Sequence, residues 1–255
     1  MKQVSISEIT AGTDLSELFK IVEKYSGSFR INLGIETGDE KFVGTVEEKV
    51  FQELCRYRTK IGYCVDVHLN GDCCRSMFDT VNCYERRARL PDRAVLNLNT
   101  IEPGDFRAAV KNTRYFDGQV YLLNGLMTNA ALDKLMDDKE LAIMEKGMKF
   151  LNWPGNFDSG FNVIMPLFGN SADWDWCGAL DPDEASEALD WITARYGYAC
   201  ARVMTRGGVM TDKKTDLTKV GEFLKAAAAW NERAKTKEID APRFLRWLVN
   251  PQNLR

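Results

Sequence analysis

Short apolar runs alternate along the chain with segments whose apolar residues recur at helical spacing. Six runs predict β-strands, because apolar and β-branched residues dominate them and polar or glycine-containing turns bound them. They cover residues 29–35, 62–70, 94–99, 119–123, 161–168 and 198–204. Amphipathic segments separate most of these runs. The alternation is typical of repeated βα units rather than of a β-meander or a helical bundle.

Helices are expected where a capping residue precedes an amphipathic segment, namely after Asp14, Thr45, Asn129, Asp181 and Asp216. The strongest start is at Asp181, because Pro182 and Glu184 occupy positions that proline and glutamate favour in a first turn. We expect the chain to begin with a helical segment over about residues 1–28. A helical extension over about residues 236–255 is expected to end it.

No linker interrupts residues 1–255, so we predict a single α/β domain. Parallel strands joined by helices leave two architectures, a (β/α) barrel and an open three-layer sheet. Because six predicted strands are fewer than eight, the barrel would be incomplete. We prefer this incomplete (β/α) barrel slightly, because polar residues recur at successive strand ends.

The chain is nearly balanced in charge, with 34 lysines and arginines against 37 aspartates and glutamates. Such balance, without a block of one sign, makes nucleic acid an unlikely partner. The densest basic cluster is formed by Arg86, Arg87, Arg89 and Arg93. Acidic and apolar residues interrupt this cluster, so we interpret it as a solvated face rather than as a phosphate-binding stripe.

Membrane and secretion signals are not found in the sequence. No stretch approaches the ~18 apolar residues of a membrane span, and the first residues lack the apolar core of a secretory signal. Seven cysteines, an odd number, predict reduced thiols rather than a disulfide framework. We therefore expect a cytoplasmic protein.

The one histidine of the chain, His68, lies in a polar row on a predicted strand. Period-two geometry places Cys64, Asp66, His68 and Asn70 on the same strand face. We predict that Asp66 orients His68 for acid–base catalysis. Together with Asp72, the pair can also supply ligands to a divalent metal, which is the cofactor we consider. The alternative is a half-buried strand whose polar face meets solvent.

Polar residues also follow other predicted strands. The carboxyl ends of parallel strands meet at one edge, where ligands bind. We predict that Glu36 acts as a catalytic base there and that Asn99 and Asn124 position the substrate. Asn97 lies inside a strand, so its amide needs a partner in the core or in a ligand.

Two tryptophans alternate with two aspartates in residues 173–176. Indole faces beside carboxylates suit a sugar, a nucleoside or a cation. We predict that Trp174 and Trp176 bind substrate in a loop over the strand ends and that Asp173 is a further catalytic carboxylate. A lid with inward-packed tryptophans, or a surface for a protein partner, is the alternative.

Arg206 follows the last predicted strand and precedes two glycines. A guanidinium and backbone amides in this position can bind a phosphate group, and we include Arg206 among the substrate-binding residues. A flexible turn explains the same residues equally well.

These patterns predict an enzyme that acts on a small polar molecule, of the sugar, nucleoside or phosphate kind, by hydrolysis or group transfer. Carboxylates and one histidine at the strand ends would carry the reaction. The alternative is a non-catalytic protein-interaction module on a degenerate α/β scaffold.

Overall fold

The computed structural model describes residues 2–38, 42–71, 73, 91–97, 119–124, 162–166, 175–178, 180–198 and 201–236. The helix expected after Asn129 and the extension over residues 236–255 lie outside this description apart from residue 236. Residue 236 ends a described helix.

Eight strands close into one barrel and are adjacent in the order of the chain. They are β1 (Gln3–Ile6), β2 (Arg30–Glu36), β3 (Cys64–Leu69), β4 (Arg93–Asn97), β5 (Gln119–Asn124), β6 (Asn162–Pro166), β7 (Asp175–Gly178) and β8 (Arg202–Thr205). Strand β8 pairs with β1 and closes the circle. The preference for a (β/α) barrel over an open sheet is therefore confirmed. Strands β1 and β7 were not among the six predicted strands, and they complete the barrel.

Strand β6 runs antiparallel to β5 and β7, whereas the other strand pairs of the barrel are parallel. A parallel crossover needs about a dozen residues or more, and residues 167–174 between β6 and β7 are too few for one. The end of β6 and the start of β7 therefore lie at the edge where the parallel strands begin.

The described helices are α1 (Leu15–Tyr25), α2 (Val46–Ile61), α3 (Glu184–Tyr196) and α4 (Leu217–Thr236). Three of them begin at predicted caps, because the side chains of Asp14, Thr45 and Asp216 accept hydrogen bonds from backbone N–H groups of the first turn. Helix α3 starts three residues after Asp181, whose N–H donates to Glu184. The prediction of a helical segment over about residues 1–28 is wrong for its first residues, because Gln3–Ile6 forms β1.

Apolar residues on the outward faces of the strands form the main core with the helices. On β3 these are Val65, Val67 and Leu69, each at most 3% exposed. Trp176 on β7 packs edge-on against Trp191 of α3, with ring centroids 5.3 Å apart. This layer leaves the inward-facing residues of the same strands to fill the barrel.

The lower half of the barrel interior holds a network of buried charges. Arg93 on β4 is fully buried and binds the Asp66 carboxylate through Nε at 2.8 Å and through Nη2. Its Nη1 contacts Asp175 on β7. Gln3 donates to both oxygens of Asp175, at 3.0 and 2.9 Å, and Arg202 approaches the same carboxylate at 3.3 Å. The interpretation of Arg93 as part of a solvated basic face is wrong, because its strand register directs it into the barrel.

An apolar layer lies above this network. Val95, Cys177 and Met204 are fully buried and pack together inside the barrel. They separate the ion pairs from the edge at which the parallel strands end. The charges below this layer are thus kept away from water. Each buried charge therefore needs a partner of opposite charge or a hydrogen bond.

The turn after β8 depends on close backbone contact. A Cβ on Gly208 would lie 2.0 Å from the carbonyl oxygen and 2.3 Å from the carbonyl carbon of Leu180. Gly207 has a φ of +74°, in the left-handed region that glycine adopts without strain. The two glycines therefore belong to a turn that is docked on the segment before α3.

We expect the substitution Arg93→Met to lower the free energy of unfolding by about 3–5 kcal/mol, because it leaves the buried Asp66 carboxylate without its guanidinium and leaves Asp175 with that of Arg202. Urea denaturation followed by circular dichroism measures the change. The matched control is Arg56→Met in α2, whose side chain is 58% exposed. We expect the control to change stability by no more than about 0.5 kcal/mol. Equal effects of the two substitutions would contradict the role of the network.

The substitution Gly208→Ala is expected to destabilise the fold by about 3 kcal/mol, because the added methyl group meets backbone atoms that cannot rotate away. The control is Gly221→Ala in α4, where the nearest atom to the new Cβ would be 3.9 Å away. Because alanine is the better helix former, the control should gain about 0.5–1 kcal/mol. Urea unfolding midpoints compare the two, and a neutral Gly208→Ala variant would refute the docked turn.

Candidate functional site

The ends of β1, β2 and β8 bring three ionisable side chains together at the edge where the parallel strands end. They are Glu8, Glu36 and Arg206, which we call the rim site. Glu36 is the last residue of β2 and is the register partner of His68 on β3. Arg206 directly follows β8, and its N–H donates to the carbonyl of Gly178 at 2.8 Å.

Two carboxylates of the rim site converge on one nitrogen atom. The Nη2 atom of Arg206 contacts Oε1 of Glu36 and lies 3.5 Å from Oε1 of Glu8. The three side chains are 20–25% exposed. Burial lowers the pKa of Arg206, and Glu8 opposes this effect. A guanidinium stays charged throughout the physiological range, so the three groups carry a net negative charge.

Glu8 was not among the predicted site residues. It follows β1, and its φ of +63° is uncommon for a residue with a side chain. The hydroxyl of Thr215 donates to the Glu8 carbonyl at 3.2 Å and helps to hold this backbone. The sequence signal before Glu8 is the alternation of Val4 and Ile6 with polar residues, which over four residues is too short to distinguish a strand.

His68 points into the barrel and is 1% exposed. Neither Nδ1 nor Nε2 has a hydrogen-bond partner among the described residues. Burial lowers the pKa of His68 to about 4, with a smaller effect of Arg93 in the same direction, while Asp66 raises it. The imidazole is therefore neutral near pH 7 and presents one donor and one acceptor.

The predicted pairing of Asp66 with His68 is wrong. Both oxygens of Asp66 are engaged by Arg93, and the Asn32 amide donates to them at 3.1 and 3.2 Å. Residues two apart on a strand lie about 6.5 Å apart, so Asp66 belongs to the level below His68.

The structure does not support the predicted metal site on Asp66, His68 and Asp72. No group of three or more acidic, histidine or cysteine residues in the described part of the chain could hold a metal ion. Asp66 is already neutralised by Arg93, and Asp72 lies outside the described residues.

Cys64 begins the predicted polar row at the opposite edge of the barrel. The Nε atom of Arg30 donates to its sulfur at 3.1 Å. Burial raises the pKa of the Cys64 thiol, so it is a poor nucleophile near pH 7. Together with Cys55, Cys73 and Cys177, it is a free thiol, as the cysteine count predicted for these residues.

Asparagine side chains join the ends of β3 and β4. The Asn97 amide donates to Oδ1 of Asn70 at 2.8 Å, and the Asn70 amide donates to the carbonyl of Thr37 at 2.9 Å. The hydroxyl of Thr37 accepts the N–H of Asn70 at 3.1 Å. The Asn97 amide therefore has a structural partner, which is one of the two interpretations left open by the sequence.

The tryptophan-rich segment does not place Trp176 in the rim site. Trp176 is 1% exposed and lies between β7 and α3, on the outward face of its strand. Its predicted role in substrate binding, and in a surface for a protein partner, is therefore wrong. Trp174, Asp173 and Asn99 lie outside the described residues, and for Asn124 the description covers only the backbone at the end of β5.

Comparison with known proteins identifies the fold but no family. No family model matches the chain, and no curated protein matches it. Among solved structures it is similar to the tryptophan synthase alpha chain from Legionella pneumophila subsp. pneumophila, with a TM-score of 0.51 and 12% sequence identity. The alignment covers 93% of each chain. At this identity the similarity concerns the fold alone.

None of the described helices is long and apolar enough to span a bilayer.

We expect His68 to titrate with a pKa of about 4 in the folded protein. The chain has one histidine, so a single imidazole signal in the proton NMR spectrum reports it. Because the folded pKa lies below the ordinary 6.5, protonation favours the unfolded state. The contribution of His68 to stability is therefore complete above pH 6.5 and is lost as the pH falls toward 4, by about 3 kcal/mol.

The variant His68→Gln lacks this titration. Its unfolding free energy should depend less on pH between 6.5 and 4 than that of the unsubstituted protein. The carboxylates are the same in both proteins, so their contribution to the pH dependence cancels in the comparison. Urea unfolding at pH 7, 6, 5 and 4 measures the difference. Parallel pH profiles, or an imidazole that titrates near 6.5, would contradict the enclosed position of His68.

Proposed function

We propose that this protein is an enzyme that acts on a small, uncharged polar molecule at the rim site, by hydrolysis or group transfer. The observation that carries the proposal is the convergence of Glu8 and Glu36 on Arg206, beside a buried imidazole without a described partner. Positions at the carboxyl ends of barrel strands are those from which (β/α)-barrel enzymes draw their catalytic residues.

The charges of the rim site favour a polyhydroxyl compound, such as a sugar or nucleoside, over a phosphate. The described contacts of the Arg206 guanidinium go to two carboxylates, so a phosphate would have to displace one and approach the other. Carboxylate oxygens accept hydrogen bonds from hydroxyl groups, and a neutral imidazole can donate one and accept one. These groups together suit vicinal hydroxyls.

In this proposal Glu36 acts as the base toward a substrate hydroxyl or water, and Arg206 fixes its carboxylate. Glu8 is the second carboxylate, available for the complementary proton transfer. His68 binds the substrate as a neutral hydrogen-bonding group. Asn99 and Asn124 stay predicted participants. Asp173 and Trp174 directly precede β7, whose start lies at the opposite edge of the barrel, so their predicted roles do not belong to this site.

We also propose that the protein is located in the cytoplasm, as expected from the sequence. The free thiols of Cys55, Cys64, Cys73 and Cys177 support it, because reduced cysteines are usual in that compartment.

We expect Glu36→Gln to lower kcat/KM by about 10²–10⁴-fold, because the amide keeps the size of the side chain but cannot accept a proton. A panel of p-nitrophenyl glycosides and common nucleosides serves as substrate, with methanol as a second acceptor to reveal transfer. Release of nitrophenol and of free base measures the rate.

Glu23→Gln is the matched control, because Glu23 is exposed on α1, away from the strand ends. It should retain the full rate. Thermal melting of both variants separates loss of chemistry from loss of fold. A folded Glu36→Gln variant with the unsubstituted rate would refute the role of Glu36. An unsubstituted protein that neither binds nor converts any member of the panel would refute the substrate class.

A further inference from the structure

Gly34 occupies an inward-facing position in the middle of β2, where a side chain would ordinarily fill the barrel. An added Cβ would lie 3.1 Å from Nε2 and 3.2 Å from Cδ2 of His68, and 3.2 Å from the Cα of Ser7. These distances are shorter than ordinary van der Waals contacts. The His68 ring therefore occupies the space that a side chain on β2 would take.

The backbone of Gly34 does not itself require glycine. Gly34 is not among the described glycines with positive φ, and it lies within the regular parallel pairing of β2 with β3. A glycine inside a strand loses packing and is entropically unfavourable, so its presence often marks the close approach of another group. Here the groups that approach are the His68 imidazole and the backbone of Ser7.

No hydrogen bond to a described residue fixes the orientation of the His68 ring. A histidine in a site is usually oriented by a hydrogen bond to one ring nitrogen. His68 has no such bond among the described residues. Its ring is instead confined by Gly34 on one side, while Val95 is its register partner on β4.

We propose that Gly34 is a positioning residue that holds the Nε2–Cδ2 edge of the His68 imidazole against β2 by steric fit, and so leaves Nδ1, on the opposite side of the ring, for a polar group of a ligand. The use of Nδ1 by a substrate rests on the proposed function, whereas the steric coupling of Gly34 to His68 does not.

The first test follows the single imidazole signal by NMR in Gly34→Ala. The methyl group would lie too close to the ring edge, so we expect the ring to shift away from β2, with a changed Hε1 chemical shift and a changed pKa of His68. The charged groups that act on the ring, Asp66 and Arg93, are unchanged in this variant, as is Glu36, the register partner of His68 on β2. Gly27→Ala, where an added Cβ meets no atom within 4 Å, is the control and should leave the signal unaltered.

The second test is a double-mutant cycle with His68→Ala, measured as urea unfolding midpoints. If the ring is a reason for glycine, Gly34→Ala lowers the midpoint more in the presence of His68 than in its absence, where only the contact with the Ser7 backbone remains. An equal loss in both backgrounds, or an unaltered imidazole signal in Gly34→Ala, would overturn the proposal. Should Gly34→Ala alone fail to fold, recovery of the fold in the double variant supports the coupling, and failure of both overturns it.

The outcome is separable from that of the proposed function. Coupling of Gly34 to His68 together with a fully active Glu36→Gln variant would retain the positioning role and reject the proposed catalytic base. Additive effects together with an inactive Glu36→Gln variant would do the reverse.

Discussion

The bidentate contact of Arg93 with Asp66, extended to Asp175, is the interaction around which the barrel is built. A barrel of eight strands is just wide enough to be filled by its own side chains. Here the lower half is filled by charges from β3, β4, β7 and β8, together with the amides of Gln3 and Asn32. Buried charges are tolerated only when they are paired, so these strands must meet in one arrangement.

The position of the network determines where a ligand can bind. Paired charges and the layer of Val95, Cys177 and Met204 fill the interior, and the partly exposed cluster of Glu8, Glu36 and Arg206 lies above them at the carboxyl ends of the strands. His68 lies at the level of that apolar layer and is the register partner of Val95. Its neutral state follows from this burial, since the charged form would lose its hydration without gaining a partner. One interior therefore supplies both a paired charge centre and an uncharged imidazole.

The rim site is assembled from segments that are distant in the chain. Glu36 and Arg206 are separated by 170 residues, and Glu8 joins them only because β8 closes on β1. The backbone of Glu8 is held in its left-handed conformation by the loop after β8, through Thr215. Closure of the barrel is thus a condition for the site as well as for the fold. Substitutions that open the β1–β8 pairing should affect both together.

The sequence by itself determined the elements that carry a local periodic signal. Six strands, the caps at Asp14, Thr45 and Asp216, and the inward row of Cys64, Asp66 and His68 all follow from spacing within a few residues. Strands β1 and β7 are four residues long, too short for alternation to be distinctive. The tertiary structure alone decided which charged side chains pair with one another. Arg93 belongs to a basic cluster in the sequence, and its second carboxylate lies 82 residues away on β7. The sequence allowed Asp66 to orient His68, but in the structure Arg93 binds both oxygens of Asp66. Such pairings arise from strand register around a closed barrel, which local composition does not encode.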